Sequence, residues 1–212
     1  MNSRLFYEQY WLIPEDAPPE KDPTINERLR LLLKTLNAVD SYGKFVLDAG
    51  CGTGYFGGKL REKGFTVVGM DISFKAIKRA SELYPKVHFI INSLDDIFPF
   101  KDEEFDIIFS NETIEHVYGT YKMFSEMNRV LKRGGHLILT TPYHGRVKNL
   151  LIALFRFDKH FNNIEGGHIR FFTDNFLIKV FNNFGFNVIE ARHIGRIRPI
   201  AKSVYIVGRK IR

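Results

Sequence analysis

Nine residues constrain this chain more than any others. Val46-Leu47-Asp48-Ala49-Gly50-Cys51-Gly52-Thr53-Gly54 is a strand-like run ending in an acid, followed by glycines at alternate positions. Such a run turns sharply from a β-strand into a helix, because glycine alone adopts the required backbone angles without strain. A second apolar run, Thr66-Val67-Val68-Gly69-Met70, leads into Asp71, 21 positions after Gly50. That is the length of one βαβ step, which obliges the two strands to lie parallel and places Asp71 at the tip of the neighbouring strand. The turn is expected to bare backbone N–H groups, and the second carboxylate can accept both hydroxyls of a ribose. Together they describe a nucleoside site.

Apolar runs and helical patterns alternate along the rest of the chain, the signature of a parallel sheet covered by helices. Residues 24–38 place Ile25, Leu29, Leu32, Leu33 and Leu36 at helical spacing, and Thr24 with Glu27 forms a capping box. Ser73 is placed to cap a helix through Ala76, Ile77 and Ala80 that closes at Pro85. Strands are expected over 87–91 and 106–110, a helix over 121–131 ended by Gly134-Gly135, and a fifth strand over 136–140 stopped by Pro142. A helix from Thr173 to Gly185 and a closing hairpin of 186–191 with 203–207 complete the reading. At 212 residues this is a single domain, residues 1–212, able to bury its own core.

Composition narrows the class. No stretch reaches the roughly 18 apolar residues of a membrane span, and the start Met1-Asn2-Ser3-Arg4 lacks the apolar core of a signal peptide, so a cytoplasmic protein is expected. The single cysteine, Cys51, allows no internal disulfide and is a poor candidate nucleophile, with no histidine beside it in sequence. The net charge of +7 is concentrated near the end: residues 186–212 hold seven cations against Glu190. Attraction to an anionic partner is one reading of that excess, and protection of an exposed sheet edge is the plainer one.

The nucleoside itself is open to two readings. Gly52-Thr53-Gly54-Tyr55-Phe56-Gly57 fits the G-x-G-x-x-G dinucleotide fingerprint, with Asp71 at the ribose position. A pyrophosphate would then lie near Asp48, an unfavourable pairing of like charges, whereas a ligand carrying an ammonium and a sulfonium would be attracted. Asp48, Gly50, Gly52 and Gly54 match position for position the acid-x-G-x-G-x-G motif of the class I S-adenosylmethionine-dependent methyltransferases, and the chain resembles that family from about Leu36 to its end. Residues 99–108, Ile114-Glu115-His116-Val117, 129–135 and Gly185-Phe186 resemble the family's further segments, in their usual sequence. The branch they resemble contains quinone-biosynthesis and glycan-modifying enzymes. The resemblance implies a Rossmann-like α/β three-layer sandwich whose seven-stranded, mostly parallel sheet ends in an antiparallel hairpin. It also implies S-adenosylmethionine as cofactor, with Asp48, Ala49, Gly50, Gly52, Gly54 and Asn111 around it, Asp71 on the ribose and Ile72 against the adenine. After the third strand the family's acid has become Ser93, which shifts the adenine contact to Asp95 or the backbone of Leu94; Asp95 reads equally as a solvated first-turn acid.

Methyl transfer to a hydroxyl needs an aligned acceptor and a group to take its proton. Glu112, Glu115 and His116 stand at i, i+3 and i+4, so on a helical turn they face one way. His116 serves as a general base oriented by a glutamate, or the three chelate a divalent ion with His144 or His168, or the Glu–His pair only secures the loop. The metal reading follows a resemblance of E-x-x-E-H to quinone O-methyltransferases and to enzymes that methylate small-RNA 3′ ends. Residues 143–170, basic and apolar, read as a lid over the acceptor that also suits contact with a membrane surface, or else the apolar stretch 150–155 packs on the sheet with the cations toward water; residues 1–38 read as a helical flap bearing Phe6, Tyr7, Tyr10 and Trp11, with aromatic core packing the plain alternative. The expected acceptor is a small molecule, glycan or lipid-linked carrier, anionic in character, with RNA the alternative; a non-catalytic cofactor-binding subunit is the other. His88 and His136 read as packing residues, and His193 as solvated.

Overall fold

The computed structural model describes residues 3–10, 22–39, 44–157 and 168–211. Two helices, α1 (Ser3–Tyr10) and α2 (Ile25–Ala38), precede an alternating series: β1 (Phe45–Ala49), α3 (Tyr55–Glu62), β2 (Thr66–Asp71), α4 (Phe74–Leu83), β3 (His88–Ile91) and β4 (Phe105–Asn111). A 3-10 turn (Ile114–His116) leads to α5 (Thr120–Val130) and β5 (Leu131–Pro142). Then come α6 (Arg146–Phe155), α7 (Asp174–Asn183), β6 (Phe186–Ile194), a 3-10 turn (Arg198–Ile200) and β7 (Ser203–Lys210).

The sheet runs β3-β2-β1-β4-β5-β7-β6. The first five strands are parallel to one another, and β7 lies antiparallel between β5 and β6. The chain order reverses between β1 and β4, so the carboxyl ends of β1, β2 and β4 open a crevice at that switch point, where α/β folds bind ligands. Side chains alternate between two apolar layers: Leu47, Val68, Ile108 and Ile206 join one, Val46, Val67, Ile107 and Val207 the other. Both faces are buried, as strands rich in Val, Ile and Leu require. The first layer packs on α5 and α7 through Met123, Phe124, Met127, Leu177 and Phe181, the second on α2 and α3 through Leu32, Leu36, Phe56 and Leu60. Each such side chain contributes about 1.5–3 kcal/mol when fully buried.

Several local expectations are corrected. The capping box at Thr24 does not form: its hydroxyl donates to Asp22 Oδ1 at 2.7 Å, and Glu27 accepts the Gly195 N–H at 3.1 Å. Thr24 already has helical backbone angles, φ −105° and ψ −1°, instead of the extended conformation from which a capping hydroxyl accepts. The helix over 121–131 ends at Val130, not at the glycines. Leu131 already pairs with Phe105, and residues 132–135 bulge before His136 resumes the ladder opposite Ile107. Glycine is required there, since a Cβ on Gly135 would come within 2.8 Å of the Asp106 and Lys132 carbonyl oxygens. Ser73 does cap α4, accepting from the Ala76 N–H at 3.3 Å.

The terminal cations are not a uniform edge guard. β7 is interior to the sheet, and its Lys210, buried, donates to the carbonyls of Asn128 (2.8 Å) and Leu131 (2.7 Å) at the end of α5. On the true edge, β6, Arg192 pairs with Glu190. His88 is exposed rather than packed. His193 is not solvated: its ring meets Tyr143 edge-on, and Nε2 lies 3.4 Å from Asp174.

Candidate active site

Two carboxylates flank the glycine turn at the crevice. Asp48, 2 % exposed at the end of β1, accepts the Gly57 N–H through Oδ2 at 3.0 Å and so ties the strand to α3. Burial pushes its carboxyl up to about 7; the Gly57 hydrogen bond opposes that rise, and the Asp71 charge adds to it. Asp71 accepts from Gly52 N (2.9 Å) on one oxygen and Ser73 N (2.9 Å) on the other. A carboxylate offers about four lone-pair sites, so even with the Ile72 N–H also directed at it this one keeps capacity for a further donor. Burial raises this carboxyl as well.

The turn does not bare its amides as the sequence suggested. Gly50 N and Cys51 N both donate to the Met70 carbonyl (2.7 and 3.1 Å), Gly52 N to Asp71, and Gly54 N to the Cys51 carbonyl at 2.9 Å. These four amides are therefore committed to the chain, which is a poor arrangement for cradling a pyrophosphate and leaves the two carboxylates to set the sign of the site. Gly50 has φ +78°, and a Cβ there would meet the Thr113 side chain at 2.4 Å, so only glycine lets β1 and the segment after β4 approach this closely. Ala49 is buried beside it, and Ile72 is half-buried. The Cys51 thiol is pushed well up by burial and by both acids, which leaves it unreactive at neutral pH.

On the β3 side, Leu94 is buried in the apolar layer. Asp95 is not a solvated acid: it accepts the Gly119 N–H, while its own N–H is held by Ser93 Oγ at 3.1 Å. Ser93 thus shapes the loop where the family's acid would stand. Asn111 ends β4 and accepts from Thr140 Oγ1 at 2.8 Å.

The acceptor side differs from a simple helical face. Glu112 adopts a left-handed backbone, φ +48°, and turns its carboxylate toward Arg28 Nη2 (3.3 Å) and Ser203 Oγ (3.2 Å). It does not join Glu115 and His116 on one face. Glu115, 1 % exposed, accepts from Thr141 Oγ1 at 2.9 Å through Oε2, and its Oε1 lies 3.8 Å from His116 Nε2 with no hydrogen bond. Burial, then the Glu112 charge, raises the Glu115 carboxyl well above the usual range. His168 joins from the far end of the 143–170 segment, its ring 4.8 Å from that of His116. The Glu115 carbonyl accepts from Ile169 N (2.9 Å), and Arg170 reaches the carbonyls of Val117 and Tyr118, which draws His168 in. One donor atom from each of Glu115, His116 and His168 lies within 4.8 Å of the others. His144 stays apart, with Nδ1 bonded to Asn149 Oδ1 at 3.1 Å and its ring on Phe171.

Two participants escaped the sequence reading. Glu8 of α1 accepts from Phe74 N (2.7 Å) and Lys75 N (3.3 Å), capping α4 from another element. Beside it Tyr7 meets the His116 ring edge-on at 6.0 Å, so α1 reaches from the start of α4 to the histidine pair. Arg28, buried in α2, bridges Asp22 (2.6 Å), Ser203 (3.0 Å) and Glu112. An arginine among the apolar positions of α2 is the signal that could have marked Arg28; Glu8, with Arg4 one turn before it, carries no such signal. Trp11, Lys159 and His160 lie outside the described residues, as do the side chains of Phe6 and Tyr10.

Residues 47–139 match the family described as a methyltransferase domain. The malonyl-[acyl-carrier protein] O-methyltransferase of Hamiltonella defensa is 33 % identical over 115 residues, 54 % of this chain and 44 % of its own. The ubiquinone biosynthesis O-methyltransferase of Vibrio atlanticus is 26 % identical over 149 residues, 67 % of this chain and 62 % of its own. The chain thus matches about half the length of these relatives. Among solved structures, the magnesium protoporphyrin IX methyltransferase of Synechocystis, with bound S-adenosylhomocysteine, superposes at a TM-score of 0.75 over 98 % of this chain and 97 % of its own, at 17 % identity.

Proposed function

We propose that this chain, whose fold and residues 47–139 are those of a class I S-adenosylmethionine-dependent methyltransferase, transfers a methyl group to a hydroxyl of a small-molecule or carrier-linked acceptor. One observation carries the reading: the glycine turn spends the amides of Gly50, Cys51, Gly52 and Gly54 on its own chain and presents Asp48 and Asp71 instead, an arrangement that favours a cationic ligand. Bound there, the sulfonium supplies an electrophilic methyl. Asp48 and Ala49 border the methionyl part, Asp71 takes the ribose hydroxyls, Ile72 the adenine face, Leu94 and Asp95 its edge, and Asn111 the side toward the acceptor.

His116 is the group that takes the acceptor's proton, and the buried Glu115 carboxyl, held by Thr141, borders its ring. Glu112 is a positioning residue, holding the loop after β4 against Arg28. Incubating the protein with methyl-labelled cofactor and a cell extract, then following the label by mass spectrometry, identifies the acceptor; label released only into water or left on the cofactor refutes methyl transfer. His116→Ala should lower kcat by about a hundredfold, within the range of general-base contributions, and leave cofactor affinity unchanged.

A second reading follows from the mutual approach of Glu115, His116 and His168. They could hold a divalent ion that binds a vicinal diol of the acceptor, once their donors close from 4.8 Å to the roughly 3.4 Å span of a compact ligand set. Glu112 and His144, turned elsewhere, are not in it. Loss of turnover on EDTA treatment, restored by Mg²⁺ or Mn²⁺ but not in His168→Ala, supports this reading; activity indifferent to EDTA refutes it.

A further inference from the structure

Helix α6 is built inside out. Two of its polar side chains face the protein: Lys148 Nζ donates to the Tyr143 (2.7 Å) and Lys202 (3.3 Å) carbonyls, and Asn149 Oδ1 is hydrogen-bonded to His144 Nδ1. Its apolar side chains face solvent: Val147, Leu150, Leu151, Leu154 and Phe155 are all exposed, the last two by 64 % and 76 %, and no α6 side chain is buried. Ile197, just before the adjoining 3-10 turn, extends the surface and is 73 % exposed. A surface helix ordinarily does the reverse, and an exposed apolar face of this kind marks an interaction site.

Charge selects the occupant. Residues 146–157 contain Arg146, Lys148 and Arg156 and no acid, and residues 195–202 contain Arg196, Arg198 and Lys202 and no acid. Arg146, Arg156 and Arg196 are exposed around the apolar face, while Arg198 is shared with Asp174 at 3.2 Å. A second copy docked about a two-fold axis would set these cations against one another. Nucleic acid would engage the arginines and leave the leucines in water. An anionic bilayer surface accommodates both, with phosphates at the arginines and the interfacial acyl region under Leu150, Leu154 and Phe155.

We infer that α6 and the 196–198 segment form a peripheral docking surface for anionic phospholipid membranes. The surface lies beside the acceptor side of the crevice, since Lys148 feels the Glu112 charge and Asn149 holds His144. An acceptor carried by a lipid would therefore reach the site without leaving the bilayer surface. Docking itself does not depend on methyl transfer, so it can stand or fall separately.

The test is sedimentation of the full chain with sucrose-loaded vesicles, either phosphatidylcholine alone or an equal mixture with phosphatidylglycerol. The wild type should partition at least about tenfold better into the anionic vesicles, and less so at high salt. Leu150→Glu with Leu154→Glu should abolish most of that binding, by about tenfold or more, and Arg146→Glu with Arg156→Glu should remove the preference for anionic lipid, both with an unchanged melting temperature. The inference is overturned if the wild type ignores anionic vesicles, if the leucine variant binds them as well as the wild type, if that variant instead dissolves a dimer seen in analytical ultracentrifugation, or if single-stranded RNA binds in preference to the vesicles.

Discussion

Asp48 links chemistry to pH. Its carboxyl is held near 7 in the folded chain, against about 4 when unfolded. A carboxyl with the higher folded value stabilises the fold in its protonated form, so this contribution is present at low pH and is lost as pH climbs from about 4 through about 7. A cationic ligand needs the ionised form. Affinity for S-adenosylmethionine should therefore rise by up to about tenfold per pH unit below 7 and level off above it, with proton release visible by calorimetry in buffers of different ionisation heat. Asp48→Asn should flatten that profile, and a slope unchanged in the variant would remove Asp48 from the account. Gly50→Ala faces both the φ of +78° and the Thr113 side chain, and should cost about 2–4 kcal/mol in urea unfolding together with measurable cofactor affinity. These residues were legible because the motif is local. Arg28 and Glu8 were not: their partners Ser203 and Phe74 lie 175 and 66 residues away, a pairing that only the folded chain creates.

Elements were legible where periodicity and burial agree. The strands of the parallel sheet appear at their expected places because runs such as Val67-Val68 and Ile107-Ile108 must be buried on both faces. The helix from Thr24 to Ala38 holds its expected bounds although its capping box does not form, whereas the boundary at Gly134-Gly135 failed: the pair reads as a helix stop and forms a bulge inside β5. Helix α1, in turn, depends on one acid. Glu8→Ala should speed hydrogen exchange at the Phe74 and Lys75 amides and cost about 1 kcal/mol, the usual worth of a helix cap; unchanged exchange would mean α1 does not rest on α4. Arg129 holds the loop after β3 through the Phe98 (3.0 Å) and Phe100 (2.8 Å) carbonyls while paired with Glu126 and Asp102. Arg129→Ala should lower stability by about 2–3 kcal/mol without changing cofactor affinity, measured by urea unfolding and calorimetry side by side.

For the whole molecule, the strand order reverses between β1 and β4, and that reversal places the crevice there. Position alone does not choose the ligand, since a nicotinamide nucleotide uses the same crevice in related α/β folds. The choice comes from the turn's committed amides and from the two acids beside them. Calorimetric titration tests this most directly, with S-adenosylhomocysteine, S-adenosylmethionine and NADH each added to the protein and to Asp71→Ala. Tight binding of both S-adenosyl ligands, weakened by at least about tenfold in the variant, with no heat from NADH, is the predicted result; saturable NADH binding with none for either S-adenosyl ligand would contradict it.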